Sequence, residues 1–353
     1  MIKEAIQKLV EGEDLSSFEA ECTLREIMLG EATHAQIAAF LTALRMKGET
    51  VEEITALAKV TREKCCRIRP TITGRLVDTC GTGGDSLKTF NISTAAAFVV
   101  AGAKVAVAKH GNRSVTSKSG SADVLEKLGL NLNMGPQTVK NAIEQVGIGF
   151  MFAPSFHPAM KFAVVPRKEI GLRSVFNLLG PLTNPANANA QLLGVYDSKL
   201  TEPLAYALRN LGCQEAFVVH GLGGLDEIST VGKTVISHLK DDAVTTFEIS
   251  PESFSVPQTS ISCLAAATVE ENAKVLFQIL FGSCPENDPK MDVVLVNSAA
   301  AIVLGRKADD FKIGMEVARE SIRSGAAYKK LQELIKASGG DLSRLEELEK
   351  NYA

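Results

Sequence analysis

Apolar positions in residues 1 to about 65 recur with the 3.6-residue period of amphipathic helices. Ile37, Leu41 and Leu44 share one helical face and Ile54, Leu57 and Ala58 another, so each helix must bury a stripe. Three start signals are clear: Ser16 with Glu19, Thr33 with Gln36 and Thr50 with Glu53 all have capping-box spacing. Gly30 and Gly48 are the matching stops. The pattern predicts an antiparallel helical bundle with surface left over for a partner. From Leu76 it changes to short β-branched runs alternating with helices, which predicts a mostly parallel sheet. Strands are expected over 76–78, 104–108, 149–153, 191–196, 215–220 and 234–239, with helices over 121–128, 136–146 and 201–211. Residues 158–185 are again apolar and helical in pattern and end in Gly180-Pro181-Leu182-Thr183-Asn184-Pro185. They are expected to join the N-terminal bundle, and the tail from Val269 is mainly helical. No repeat and no low-complexity linker interrupts the chain.

With 353 residues, 45% of them apolar, the chain exceeds one usual domain. The expected fold class is α/β: a small all-helical domain, residues 1–70 with a segment about 160–185, beside a larger α/β domain, 71–353, with a mostly parallel central sheet. The absence of Trp and the 5% aromatic content favour tight helix packing over an all-β design. A net charge of −3, from 38 basic and 41 acidic residues, gives no general attraction to nucleic acid or an anionic membrane. Any phosphate binding must therefore be local. Seven cysteines without Cys-x-x-Cys spacing indicate neither a disulfide framework nor a zinc site, and a reducing cytoplasm is the expected compartment. Neither a secretory signal nor a membrane span is expected.

The chemistry concentrates in two loops. Gly81-Thr82-Gly83-Gly84-Asp85 follows the apolar Leu76-Val77 and leads into Asn91-Ile92-Ser93-Thr94 and an alanine-rich run. A strand-loop-helix of this kind presents bare N–H groups to an anion. A tight turn with simple N-capping by Asn91, Ser93 and Thr94 is the bland alternative. Lys109-His110-Gly111-Asn112-Arg113-Ser114 repeats the device with fixed cations, and hydroxyls continue through Thr116, Ser117, Ser119 and Ser121. His110, a lone imidazole beside a glycine, is expected to pack or hydrogen-bond rather than to move protons. Asp226-Glu227 lies on a glycine-rich loop after a strand, and beside a polyphosphate such a pair suits Mg²⁺. Neither a Walker lysine nor Gly-x-Gly-x-x-Gly accompanies the first loop, which argues against nucleotide hydrolysis and dinucleotide binding.

Seven blocks, at compatible spacing, closely resemble the anthranilate phosphoribosyltransferase family over almost the whole chain. They are Asp78 to Asp85, Asn91 to Thr94, Lys109 to Ser114, Gly120-Ser121-Ala122-Asp123, His157-Pro158-Ala159-Met160, Arg167, and Asn177 to Pro185. The resemblance implies the fold type shared by nucleoside phosphorylases and phosphoribosyltransferases, dimerisation through the helices, and transfer of the phosphoribosyl group from phosphoribosyl pyrophosphate (PRPP) to the anthranilate amine. It implies that PRPP is surrounded by Gly81, Gly84, Asp85, Thr89, Asn91, Ile92, Ser93, Thr94, Lys109, His110, Gly111, Asn112, Arg113, Ser114, Val115, Thr116, Ser117 and Ser121. Ser93, Asp226 and Glu227 match the family's Mg²⁺ ligands. Gly81, Asn112 and Arg167 match its anthranilate contacts, with His110, His157, Gly180 and Pro181 lining the approach. No side chain is assigned as an acid or base; Asn112, Arg167 and Lys109 position the reactants. The partners expected are the two small-molecule substrates, neither nucleic acid nor membrane, and a second copy of the chain. Rival readings are a nucleoside phosphorylase, opposed by Asp226-Glu227 and Arg167, and a non-catalytic binder of nucleic acid or a regulator, opposed by the acidic balance. A subunit serving a glutamine amidotransferase is the third, with no glutaminase-like domain expected within these residues.

Overall fold

Four helices open the chain: α1 (Ile2–Val10), α2 (Ser17–Leu29), α3 (His34–Lys47) and α4 (Val51–Lys64). They belong to a computed structural model that describes residues 1–83, 89–114, 119–285 and 287–352. All three expected capping boxes form, and Gly30 and Gly48 close α2 and α3 at φ 78° and 93°. Glu53 does more than cap. Fully buried, its carboxylate accepts from the Leu15 N–H (2.9 Å), the Thr50 N–H (2.8 Å) and Lys47 Nζ (2.9 Å). One side chain thereby joins three segments of the bundle. Glu53→Ala leaves the buried Leu15 N–H and the part-buried Thr50 N–H without their acceptor and Lys47 with Asp14 alone, so a loss of about 2–4 kcal/mol is expected in urea unfolding. A cost under about 1 kcal/mol would show that the bundle does not depend on this junction.

The sheet has seven strands: β1 (Leu76–Gly81), β2 (Ala106–Gly111), β3 (Ile148–Phe152), β4 (Ala190–Gly194), β5 (Glu215–Gly221), β6 (Thr234–Lys240) and β7 (Ala243–Ile249). Their order is β3-β2-β1-β4-β5-β6-β7, parallel through β5 and antiparallel for the last two. Two boundaries depart from expectation in a way that matters. β1 runs on to Gly81, paired with Gly194, and β2 runs on to Gly111, paired with Phe152. Lys109, His110 and Gly111 are therefore strand residues, and the second loop starts only at Asn112. Pairing with neighbouring strands outweighs the low strand propensity of glycine here. β7 has no counterpart in the expected set, because its edge position leaves most of its side chains exposed and removes the alternation that marks a half-buried strand.

The remaining helices are α5 (Ile92–Gly102), α6 (Ser121–Lys127), α7 (Pro136–Val146), α8 (Ala153–Phe156), α9 (Lys161–Ile170), α10 (Val175–Leu182), α11 (Thr201–Asn210), α12 (Val269–Phe281), α13 (Pro289–Leu304), α14 (Phe311–Arg323), α15 (Ala326–Ala337) and α16 (Ser343–Tyr352). Alanine-rich α5 is buried from Thr94 to Ala101, where small side chains let α13, α14 and α15 approach it closely. On the other side of the sheet α9 packs on α2 and α3, and α10 on α3 and α4. One hydrophobic cluster there unites Leu24, Phe40 and Leu57 of the bundle with Leu179 of α10, Leu204 of α11 and Leu193 of β4.

Candidate active site

A cavity of about 380 Å³ opens at the carboxyl ends of β1 and β2, bounded by α8, α9 and α10 and by Thr61 of α4. β1 lies between β2 and β4, where the chain's winding reverses, and open parallel sheets form clefts at such a point. Gly81, His110, Gly111, Asn112, His157, Arg167, Gly180 and Pro181 all line it, so every residue matched to the anthranilate contacts and approach falls in one hollow.

Arg167 is half-buried with its guanidinium 5.2 Å from the Phe176 ring centroid, and burial depresses its pKa. Among the described residues no carboxylate forms a salt bridge with it. His110 and His157 stand with ring centroids 5.0 Å apart. Burial drives His110 down to about 3, helped by His157, and His157 itself down to about 4. Both rings are therefore neutral at pH 7. Gln191 Nε2 donates to the Pro181 carbonyl (2.7 Å) and fixes the Gly180-Pro181 wall from below.

The two depressed imidazoles make stability depend on pH. Between pH 7 and pH 5 the unfolded chain binds protons on both imidazoles while the folded chain does not, so each subtracts roughly 2 kcal/mol at pH 5. Asp78 acts the opposite way. Burial pushes its carboxyl up to about 6, so the folded chain gains a proton there before the unfolded chain does. The two histidines outweigh it, and the urea midpoint should fall on acidification from pH 7 to pH 5. Replacing both histidines by Asn should flatten or invert that slope; an unchanged slope would refute the assignment.

Beside the cavity the acidic pair lies across the strand ends. Asp226 Oδ2 accepts from the Gly83 N–H (2.9 Å) and buried Glu227 Oε1 from the Ser93 N–H (3.1 Å). A Cβ on Gly194 would overlap the Asp226 carbonyl group, and one on Gly81 would overlap the Asp226 carboxylate. Glycine at these two strand ends is thus what lets the loop lie down there.

The start of α5 differs from the expected bare cradle. The Asn91 N–H donates to Asn272 Oδ1 (3.1 Å), that of Ile92 to the Phe90 carbonyl (2.8 Å) and that of Thr94 to the Asn91 carbonyl (3.1 Å). With Ser93 bonded to Glu227, the protein's own carboxylate takes the place at the positive end of the helix. Asn91 stands at the N-cap position but makes no capping bond; its side chain meets Ser119 instead. The side chains of Ile92 and Thr94 are buried beneath the turn, while Thr89 bridges to Ala265.

Lys109 is buried and its Nζ donates to the Thr79 carbonyl (2.6 Å) and Ser93 Oγ (3.4 Å). Burial lowers its pKa, opposed by Asp78 and then by Cys80 and Glu227. Asp78 in turn accepts from Asn184 Nδ2 (2.8 Å), which also donates to the Ala108 carbonyl (2.8 Å). Arg113 points elsewhere: its Nη1 meets Asp123 (2.9 Å) and Glu126 (2.7 Å) on α6. Asp123 also accepts from the Ser114 N–H (3.1 Å) and Gly120 N–H (2.9 Å), so it clasps both ends of the second loop. Ser121 Oγ donates to the Asn112 carbonyl (3.4 Å). Gly84, Asp85, Val115, Thr116 and Ser117 lie outside the described residues. Sequence reasoning placed Asp123 and Asn184 only within the resembling blocks, with no role, and passed over Asn272 and Phe176; Asp123 stands three residues after the N-cap Gly120, whose N–H its carboxylate accepts.

Residues 73–328 match the family model described as the a/b domain of a glycosyl transferase family, and residues 3–65 match that family's helical bundle domain. Fold and cleft thus define a glycosyl transferase built from a bundle and an α/β part. Anthranilate phosphoribosyltransferase of Acetivibrio thermocellus is 51% identical over 343 residues, 97% of this chain and 98% of its own. The solved structure of the Thermus thermophilus anthranilate phosphoribosyltransferase is 39% identical with a TM-score of 0.89, covering 95% of this chain and 99% of that one. The Saccharomyces cerevisiae enzyme in complex with PRPP and Mg is 31% identical with a TM-score of 0.88, covering 96% and 98%. The chain belongs to the anthranilate phosphoribosyltransferase family.

Proposed function

We infer that the chain transfers the phosphoribosyl group of PRPP to the amine of anthranilate, giving N-(5-phosphoribosyl)anthranilate and pyrophosphate, a step of tryptophan biosynthesis. The observation that carries the reading is Arg167: a half-buried guanidinium over the face of Phe176 in a cavity that also holds Asn112, with no carboxylate salt bridge among the described residues. Such a fork suits a bidentate aromatic carboxylate. The amine forms its bond to the anomeric carbon as the carbon–oxygen bond to pyrophosphate breaks, with inversion, and the resulting ammonium, a strong acid, passes its proton to water. An oxocarbenium-like transition state needs alignment and charge stabilisation more than proton abstraction. An aromatic amine is already neutral at pH 7, and imidazoles that bind protons as weakly as His110 and His157 are poor general bases. Gly81, Asn112 and Arg167 hold the acceptor. Asn91, the Ser93 hydroxyl, Asn112 and Ser121, at the described ends of both loops, face the donor, with the Lys109 side chain below.

Asp226, Glu227 and the Ser93 hydroxyl are hard oxygen donors. Among the described residues no third acidic, His or Cys side chain completes a cage, which is the incomplete set Mg²⁺ accepts when substrate phosphates fill its octahedron. Bound there, Mg²⁺ would neutralise charge on the leaving pyrophosphate. The bundle, residues 1–70 with about 160–185, and the α/β part, 71–353, are read as two domains that meet over the cleft. The large exposed apolar side chains Val10, Phe18, Leu29 and Met46 support homodimerisation through the bundle. Among the described residues no helix is long and apolar enough to cross a membrane, and the cytoplasm is the compartment proposed.

Loss of anthranilate fluorescence should require both PRPP and Mg²⁺ and should stop on chelation. Phosphorolysis of thymidine or uridine by folded protein that leaves anthranilate untouched would favour a nucleoside phosphorylase.

A further inference from the structure

Asp226 and Glu227 stand in a connection between β5 and β6 that is tied in part to itself: the Ser229 N–H donates to Thr234 Oγ1 (2.9 Å) and the Val231 N–H to Ser229 Oγ (3.0 Å). The residue after Glu227 is held from outside, by Asn297 in the middle of α13. Asn297 Oδ1 accepts from the Ile228 N–H (2.9 Å), Nδ2 donates to the Ile228 carbonyl (2.9 Å), and Nδ2 also donates to the Val293 carbonyl (2.9 Å). Both amide hydrogens are thus used. The placement is costly as mere packing. Every residue from Val293 to Ile302 is buried and, Asn297 and Ser298 apart, apolar. Asn is a weak helix former, and a buried amide is unfavourable unless bonded. Leu or Ala would serve the packing better.

We propose that Asn297 is a positioning residue for the reaction: by gripping the Ile228 backbone at both its N–H and its carbonyl, as a neighbouring strand would, it sets where Asp226 and Glu227 stand. Asn297 does not line the cavity and acts through the main chain alone. Glu227 is one peptide bond away, and its carboxylate must reach the Ser93 N–H at the start of α5. The role rests on the reading that Asp226 and Glu227 hold Mg²⁺.

The test is calorimetric titration of PRPP into the full-length protein at a series of Mg²⁺ concentrations. Asn297→Ser is too short to reach both Ile228 groups and should raise the Mg²⁺ concentration for half-maximal PRPP binding by about 10-fold or more, as outer-shell losses do at metal sites. The KM for anthranilate should stay near that of the parent. Asn297→Asp keeps an acceptor for the Ile228 N–H but sets an oxygen against the Ile228 and Val293 carbonyls, so it should shift the dependence at least as far; Asn297→Ala, a better helix former, replaces Asn297→Ser should that variant not fold. Ser321→Ala is the structural control. Its buried Oγ donates to the Val99 carbonyl (2.7 Å), linking α14 to α5 away from the acidic pair, so its loss should lower Tm without moving the Mg²⁺ dependence. A parental Mg²⁺ dependence in the Asn297 variants, whatever their Tm, overturns the role if Glu227→Gln does shift that dependence. If Glu227→Gln leaves it unaltered too, the metal reading itself fails, and the role of Asn297 with it.

Discussion

Arg167→Ala is expected to raise the KM for anthranilate about 100-fold while the KM for PRPP changes by less than about 3-fold. The factor follows from losing a two-point guanidinium–carboxylate contact in a partly desolvated hollow, worth roughly 3 kcal/mol. Phe176 sharpens the prediction, because its ring face, 5.2 Å from the guanidinium carbon, favours a cation at that place. Arg167→Lys keeps a charge but neither the planar fork nor the stacking, and should recover only part of the affinity. Steady-state kinetics with each substrate varied in turn reads both constants. Equal changes in the two KM values would mean that Arg167 serves the cleft as a whole and not the acceptor.

Gly194→Ala is the second large effect, and it acts through backbone. The added methyl would meet the Asp226 carbonyl group, and no rotamer change relieves an overlap between two main chains. The loop must lift, taking both carboxylates away from Gly83 and Ser93. Expected are a fall of at least about 100-fold in kcat/KM for PRPP, a higher Mg²⁺ requirement and a stability loss of about 1–3 kcal/mol. Gly135→Ala is the comparison: a Cβ there meets nothing within 4 Å and φ is an ordinary −68°, so activity and urea midpoint should both hold. An active Gly194→Ala enzyme with parental Mg²⁺ dependence would show that the acidic pair tolerates displacement.

Much of this was legible in the chain because local rules dominate where the signals were strong. The capping boxes at Ser16, Thr33 and Thr50 formed because each is complete within four residues. The glycine loops fell beside strand ends because glycine permits close approach there. What could not be read was set by partners distant in sequence. Nothing around Lys109 announces that β2 continues through it, since that depends on pairing with Phe150. The anion at the start of α5 turned out to be Glu227, 134 residues from Ser93, and Arg113, one of several cations in a loop, was claimed by Glu126. Charge and spacing identify a competent group; only the fold decides which competitor holds it.

The insertion of α9 and α10 into the bundle has a consequence for how the protein is made. Helices α1–α4 leave the ribosome first, yet the groove that α10 fills, where Leu179 joins the cluster around Leu57, stays open until residue 182 has been synthesised. By then β1, β2 and β3 have also emerged. Between the completion of α4 and that of α10, about a third of translation, the nascent N-terminal part therefore carries uncovered apolar surface, the kind that is prone to aggregate. Bundle and sheet become stable together, because the last two helices of the one are threaded between the third and fourth strands of the other.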